Sequence, residues 1–169
     1  MPRPAPWRLD AAAYPHRQAV QTRFQDLDVL GHLNNVAFAA LFETGRTKFN
    51  RDAALWGRRS DQRHAGGMSP TGAGSQSEPS GRGRRAVVAH TEINYLAEGQ
   101  YPDDVEVATG IGRIGGRSWE ILAAMFQGGR CIATCDVTIV MDKDEDGGGL
   151  PDPFRAELTR WTVVEKAAD

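Results

Sequence analysis

Cysteine and lysine are scarce in this 169-residue chain, and each scarcity excludes something. Cysteine occurs only at Cys131 and Cys135. Their spacing of four within one strand places both on one face and suits no disulfide. It is not a C-x-x-C motif either, so the expectation is two buried free thiols in a reducing compartment. Lysine occurs only at Lys48, Lys143 and Lys166, and the net charge is -2, so the chain lacks the basic balance of a nucleic-acid binder. No apolar run reaches the length of a membrane span, and the first seventeen residues lack the apolar core of a secretory signal. These absences predict a soluble, cytoplasmic protein with neither a nucleic-acid nor a membrane partner. The four histidines are scattered without metal-ligand spacing, and no G-x-S-x-G elbow, P-loop or dinucleotide fingerprint occurs. The run from Asp142 to Gly147 opens like a calcium loop, but its twelfth position is Pro153 rather than glutamate, so it reads as a solvated acidic turn.

What is present reads as one domain. Residues 1–16 are a proline-rich, irregular lead-in. From Ala19 to Asp28, Val20, Thr22 and Phe24 alternate with Gln21, Arg23 and Gln25, which predicts a strand. Phe38, Leu41, Phe42, Gly45, Phe49, Ala53 and Trp56 recur at steps of three and four, which predicts a helix over 35–56. Val36, Ala39 and Ala40 widen its apolar surface, so the helix needs to be wrapped rather than docked on one side. Seven glycines and five serines fall within 57–84, which predicts a flexible insert. Four alternating segments follow, at 87–95, 105–111, 119–125 and 131–141, separated by glycine turns that suit antiparallel pairing. A short helix is expected within 151–162. One long helix with an antiparallel sheet is an α+β arrangement.

The most informative stretch is Asp26-Leu27-Asp28-Val29-Leu30-Gly31-His32-Leu33-Asn34-Asn35. It places a carboxylate beside a glycine turn and the start of a helix, where Asn34 is the candidate N-cap. Free N–H groups at a helix start polarise a carbonyl while a carboxylate attacks it or activates water. Asp28 is therefore the candidate catalytic carboxylate, and Asp26 the less favoured one. Glu43 and Arg46, three apart, are expected to pair on the helix surface.

This run, together with Thr91-Glu92-Ile93-Asn94-Tyr95-Leu96 and Gly115-Gly116-Arg117-Ser118, resembles the hotdog-fold thioesterases of the 4-hydroxybenzoyl-CoA thioesterase-like group. The resemblance covers about 18–142 and implies a five-stranded antiparallel sheet wrapped around a long central helix. It implies an acyl-thioester hydrolase acting on acyl-CoA or acyl-carrier-protein, with no metal or organic cofactor. It implies a homodimer or homotetramer with sites between subunits. Carried over residue by residue, Asp28 is nucleophile or general base, and the backbone N–H near Asn35 polarises the thioester oxygen. Gly31, His32, Asn34, Arg117 and Ser118 are then the substrate-binding candidates, Arg117 meeting coenzyme A phosphates. A non-catalytic acyl-CoA-binding module and a hotdog dehydratase or hydratase are the alternatives.

Overall fold

The computed structural model describes residues 3–55, 86–142 and 148–165. Five strands form one antiparallel sheet: β1 (His16–Val20), β2 (Ala86–Tyr95), β3 (Val105–Ile114), β4 (Ser118–Gln127) and β5 (Arg130–Met141). Their spatial order is β1-β3-β4-β5-β2. The long helix α1 (Asn35–Asp52) leaves the β1 edge and leads, by way of 56–85, to β2 at the opposite edge. Residues 57–84, Trp56 and most of the acidic turn lie outside the described residues.

α1 forms where its signals are. The Asn34 side chain accepts the Ala37 N–H at 2.8 Å, which satisfies one of the donors that a helix start leaves open. The helix buries Ala37, Phe38, Leu41, Phe42, Gly45 and Phe49 against the sheet. It ends at Asp52 rather than at 56, followed by Ala54 in the left-handed region at φ 51°. Gly45 sets the closeness of approach: a Cβ there would stand 2.4 Å from Val107 Cγ1. On the concave face of the sheet, Val105, Val107, Ile111, Ile121, Met125, Val137 and Ile139 complete this core.

The first strand is shorter than its alternation predicts and lies earlier, at His16–Val20 instead of 19–28. Val20 pairs with Val105, the first residue of β3, so no partner strand extends beyond it. The chain turns instead into a 3-10 turn at Phe24–Asp26, where the Asp26 carboxylate accepts the Arg23 backbone N–H at 2.9 Å.

The two cysteines face opposite sides, contrary to the even-spacing expectation. Met125 opposes Ala133 while Phe126 opposes Cys131, so Ile132 is an extra residue that inverts the alternation. Cys135 lies in the concave core and Cys131 against the outer face. A second bulge occurs in β2, where Val88 opposes Ile139 and His90 opposes Thr138, leaving Ala89 unpaired.

The lead-in is more ordered than its composition predicts. Two 3-10 turns, Pro6–Leu9 and Ala11–Ala13, cross the outer face of the sheet. There Ala13 and Tyr14 join Ala108, Leu122, Ala124, Phe126 and Val163 in a second apolar cluster. Arg8 is buried beneath them, donating from Nε to the Tyr14 hydroxyl at 3.0 Å and pairing with Asp136 on β5. The C-terminal helix α2 (Asp152–Arg160) buries Leu158, and Phe154 packs edge-on against Trp119. The core thus reaches beyond 18–142 at both ends.

Candidate active site

The Asp28 loop is a small, closed structure. Leu27 and Leu33 form an antiparallel bridge, and the Asp28 N–H donates to the His32 carbonyl at 2.8 Å. Beyond that bridge the chain reverses through Gly31, whose φ of +83° favours glycine although nothing crowds its Cβ position. The Asp28 side chain spans the turn. Its Oδ1 accepts the Leu30 N–H at 2.8 Å and the His32 N–H at 3.1 Å. These bonds to the charged form, that from His32 foremost, hold the Asp28 carboxyl below its ordinary value. Asp28 is therefore an exposed, ionised carboxylate fixed by backbone amides.

The loop is tied to the rest of the fold at two points. Asn34 donates its backbone N–H and its Nδ2 to the Asp26 carbonyl, at 2.9 and 2.8 Å. Leu33 donates to the Gly99 carbonyl at 2.9 Å, just past the end of β2. A Cβ on Gly99 would lie 2.5 Å from Leu33 Cδ1, so a side chain there would displace Leu33 from this contact. His32 Nε2 sits 3.2 Å from the Glu98 carboxylate, which fixes its ring on the same connection.

Asp26 is differently placed. It is buried, and the Arg23 guanidinium reaches both its oxygens, at 2.9 and 3.3 Å. It lines an open groove of about 500 Å³ together with Asn34, Asn35 and Val36, at the start of α1. The N–H groups of Asn35 and Val36 have no partner among the described residues, because Asn34 serves Ala37 and Phe38 instead. They are donors available to an anionic oxygen.

A second feature lies further along the helix. Between α1 and strands β2, β4 and β5 a half-enclosed cavity of about 180 Å³ remains, with Glu43 and Arg46 on its wall. Those two side chains pair with each other, as their spacing predicts.

The fold brings Asp28, Gly31 and His32 together in one turn, and places Asn34 and Asn35 in the adjoining groove, where Asp26 rather than Asp28 is the carboxylate on the wall. It does not bring Arg117 and Ser118 to them. Ser118 pairs with Val140, and the Arg117 carbonyl accepts the Met141 N–H at 2.8 Å. That level of the sheet is where β2 begins, whereas the Asp28 loop is attached where β2 ends. Sequence reasoning missed Arg23, Glu98 and Gly99 as supports of the loop. The Arg-x-x-Asp spacing and the Glu98-Gly99 turn were their only visible signals. Among the described residues, no group of three or more histidine, cysteine or carboxylate side chains is placed to hold a metal.

The family is shown by comparison. A model of the thioesterase-like superfamily matches residues 22–162. Among solved structures, a Pseudomonas aeruginosa protein is 20% identical with a TM-score of 0.67, over 91% of this chain and 96% of its own. A Bacillus stearothermophilus protein described as a predicted thioesterase is 25% identical with a TM-score of 0.65, over 89% and 98%. A Thermus thermophilus thioesterase, solved with coenzyme A and zinc, is 22% identical with a TM-score of 0.65, over 88% and 95%. No curated protein matches the chain. The chain belongs to the thioesterase-like superfamily, hotdog-fold enzymes whose class of reaction is thioester hydrolysis.

Proposed function

We propose that the protein hydrolyses an acyl thioester of coenzyme A or of an acyl carrier protein, with Asp28 as the reacting carboxylate. The observation that carries this reading is an exposed, ionised Asp28 held by two backbone amides on a loop that leads directly into a helix start with two unpartnered N–H groups. The thioester carbonyl would lie against the Asn35 and Val36 N–H groups, whose partial positive charge favours the oxyanion of the tetrahedral intermediate. Asp28 either attacks the carbonyl carbon and expels the thiolate, leaving a mixed anhydride that water then hydrolyses to restore the carboxylate, or takes the proton of a water that attacks the carbonyl and displaces the thiol directly. The thiol leaves, and the free acid remains. Asp26 is less suited, because Arg23 already occupies its carboxylate. Neither route requires a metal or an organic cofactor.

The same reading makes the protein a dimer through β2. That strand has β5 on one side only, and its ten residues include exposed Val87, Val88 and Tyr95, at 44%, 46% and 52%. A long, apolar, unpaired edge is a template for another strand. Two-fold antiparallel pairing of β2 with its copy sets the start of one strand against the end of the other. Arg117 and Ser118 of the partner subunit would then stand at the Asp28 end, about three strand spacings or roughly 14 Å across the joined sheet. An extended carrier arm spans that distance, which accounts for site residues that a single chain keeps apart.

Release of thiol from a panel of acyl-CoA substrates tests the function. Asp28→Asn keeps the Oδ1 acceptor for Leu30 and His32, so the loop should stay folded. Turnover is expected to fall by about 10²–10⁴-fold in that variant. Unchanged turnover with intact folding would remove Asp28 from the mechanism.

A further inference from the structure

The helix stripe that begins at the proposed oxyanion donors ends in the cavity. Asn35, Ala39, Phe42, Glu43 and Arg46 stand at spacings of four, three, one and three, so they lie along one face of α1. Ala39, Phe42, Glu43 and Arg46 all line the 180 Å³ cavity. The groove at the donors and this cavity share no lining residue, so the helix stripe is what joins them: an acyl group whose carbonyl rests at the first turn would pass over Ala39 to enter the space between α1 and the sheet.

The walls of that space are mostly apolar: Ala39 and Phe42 from the helix, Ile93 from β2, Ile121 and Ala123 from β4, Val137 from β5. The bulge at Ala89 contributes to this lining. It puts Val88 on the same side as Thr91 and Ile93, whereas strict alternation would turn it away. Further along the helix stand Glu43 and Arg46, paired with each other, the Arg46 side chain 15% exposed and the Glu43 side chain 60%. A hydrocarbon chain that continued past them would strip water from an ion pair and give no hydrogen bond in return.

We propose that this cavity selects a compact acyl group, one six-membered ring or a chain of about six carbons, and that the Glu43–Arg46 pair is the stop that rejects longer chains. The proposal rests on the thioesterase reading above and names its substrate class. Volume sets the size: a protein cavity of about 150 Å³ accepts one benzene, and liquid water occupies about 30 Å³ per molecule. The space beside α1 is therefore slightly larger than one ring. Ala39 and Ala123 are the small residues that keep it open.

The test uses the full chain and two readouts. The first is kcat/KM for acetyl-, butyryl-, hexanoyl-, octanoyl-, dodecanoyl-, palmitoyl- and benzoyl-CoA. Rates are expected to rise by up to about fourfold per added methylene, as each is buried, until the cavity is full. Dodecanoyl-CoA should then fall at least about tenfold below the best substrate. Ala39→Leu should raise the acetyl-to-hexanoyl ratio by about tenfold, and Glu43→Leu with Arg46→Leu should move the optimum to longer chains. The second readout is the Kd of the unhydrolysable thioethers S-hexyl-CoA and S-dodecyl-CoA. Tighter hexyl binding that Ala39→Leu abolishes supports the pocket even if no thioester is cleaved, in which case hydrolysis alone has failed. Cleavage with a profile that climbs to palmitoyl, or a profile that Ala39→Leu leaves in place, overturns the pocket and leaves hydrolysis standing. Equal binding of both thioethers overturns it as well.

Discussion

At the scale of single residues, the Asp28 loop joins charge to geometry. A carboxylate that accepts two amide N–H groups is easier to ionise, so it is ready as a nucleophile at neutral pH and correspondingly weak as a base. The sign of its pH dependence follows. Asp28 is charged above its lowered pKa, so kcat/KM should stay level from neutral pH down to about pH 5 and decline only below the ordinary aspartate range. A pH profile with an acid limb near pH 6 would assign that limb to another group. The loop's own stability has the same sense, present above the ordinary aspartate range and lost as acid protonates Asp28. Much of this was legible in the sequence, because Gly31 and Asn34 are residues whose chemistry is local: one supplies a positive φ, the other a cap. Glu98 and Gly99 were not legible, because they support His32 and Leu33 from more than sixty residues away.

At the scale of elements, the decisive contact is the one between α1 and β3. Gly45 lets the helix settle on Val107, and its carbonyl accepts Gln18 Nε2 from β1 at 3.1 Å. Gly45→Ala gains about 1 kcal/mol of helix propensity. It also drives a methyl group into Val107, and overpacking of this kind costs about 1–3 kcal/mol. The second effect wins, since Val107 is fully buried. We expect a net loss of up to about 2 kcal/mol, read as a thermal midpoint lower by up to roughly 8 °C in calorimetry. A midpoint unchanged or raised would mean that the helix shifts at no cost. Periodicity made α1 and the last four strands visible, because these strands are paired along their length and alternate between two different faces of the sheet. It failed for the first strand, where Thr22 and Phe24 keep the alternation but β3 has already ended. It failed again at Cys131, because the bulge at Ile132 depends on two strands at once.

At the scale of the whole molecule, the two faces of the sheet have different roles. The concave face holds α1 and the cavity, and the outer face is covered by the chain's own residues 6–14 and 163. The β2 edge is the surface proposed above for a second copy. Sedimentation is expected to give about twice the 18.4 kDa of one chain. Val87→Lys should shift that mass towards the monomer, because a lysine on an edge strand discourages pairing. It should lower turnover in parallel, since each proposed site takes Arg117 and Ser118 from the partner subunit. A monomer of full activity would contradict the shared site. The covered outer face was invisible in the sequence, where the lead-in has no periodicity. Arg8 and Tyr14 reveal their role only through Asp136, which is 128 residues from Arg8 along the chain.

Cys135 forms part of the wall of the proposed acyl pocket. A thiol is the group most apt to exchange with a thioester, and a thiolate in that wall would capture the acyl group and become acylated itself. Burial pushes the Cys135 thiol up to about 12, so at neutral pH it stays protonated. In the proposed reaction a potential competitor beside the substrate is thus held in an unreactive form, which leaves Asp28 or water to receive the acyl group.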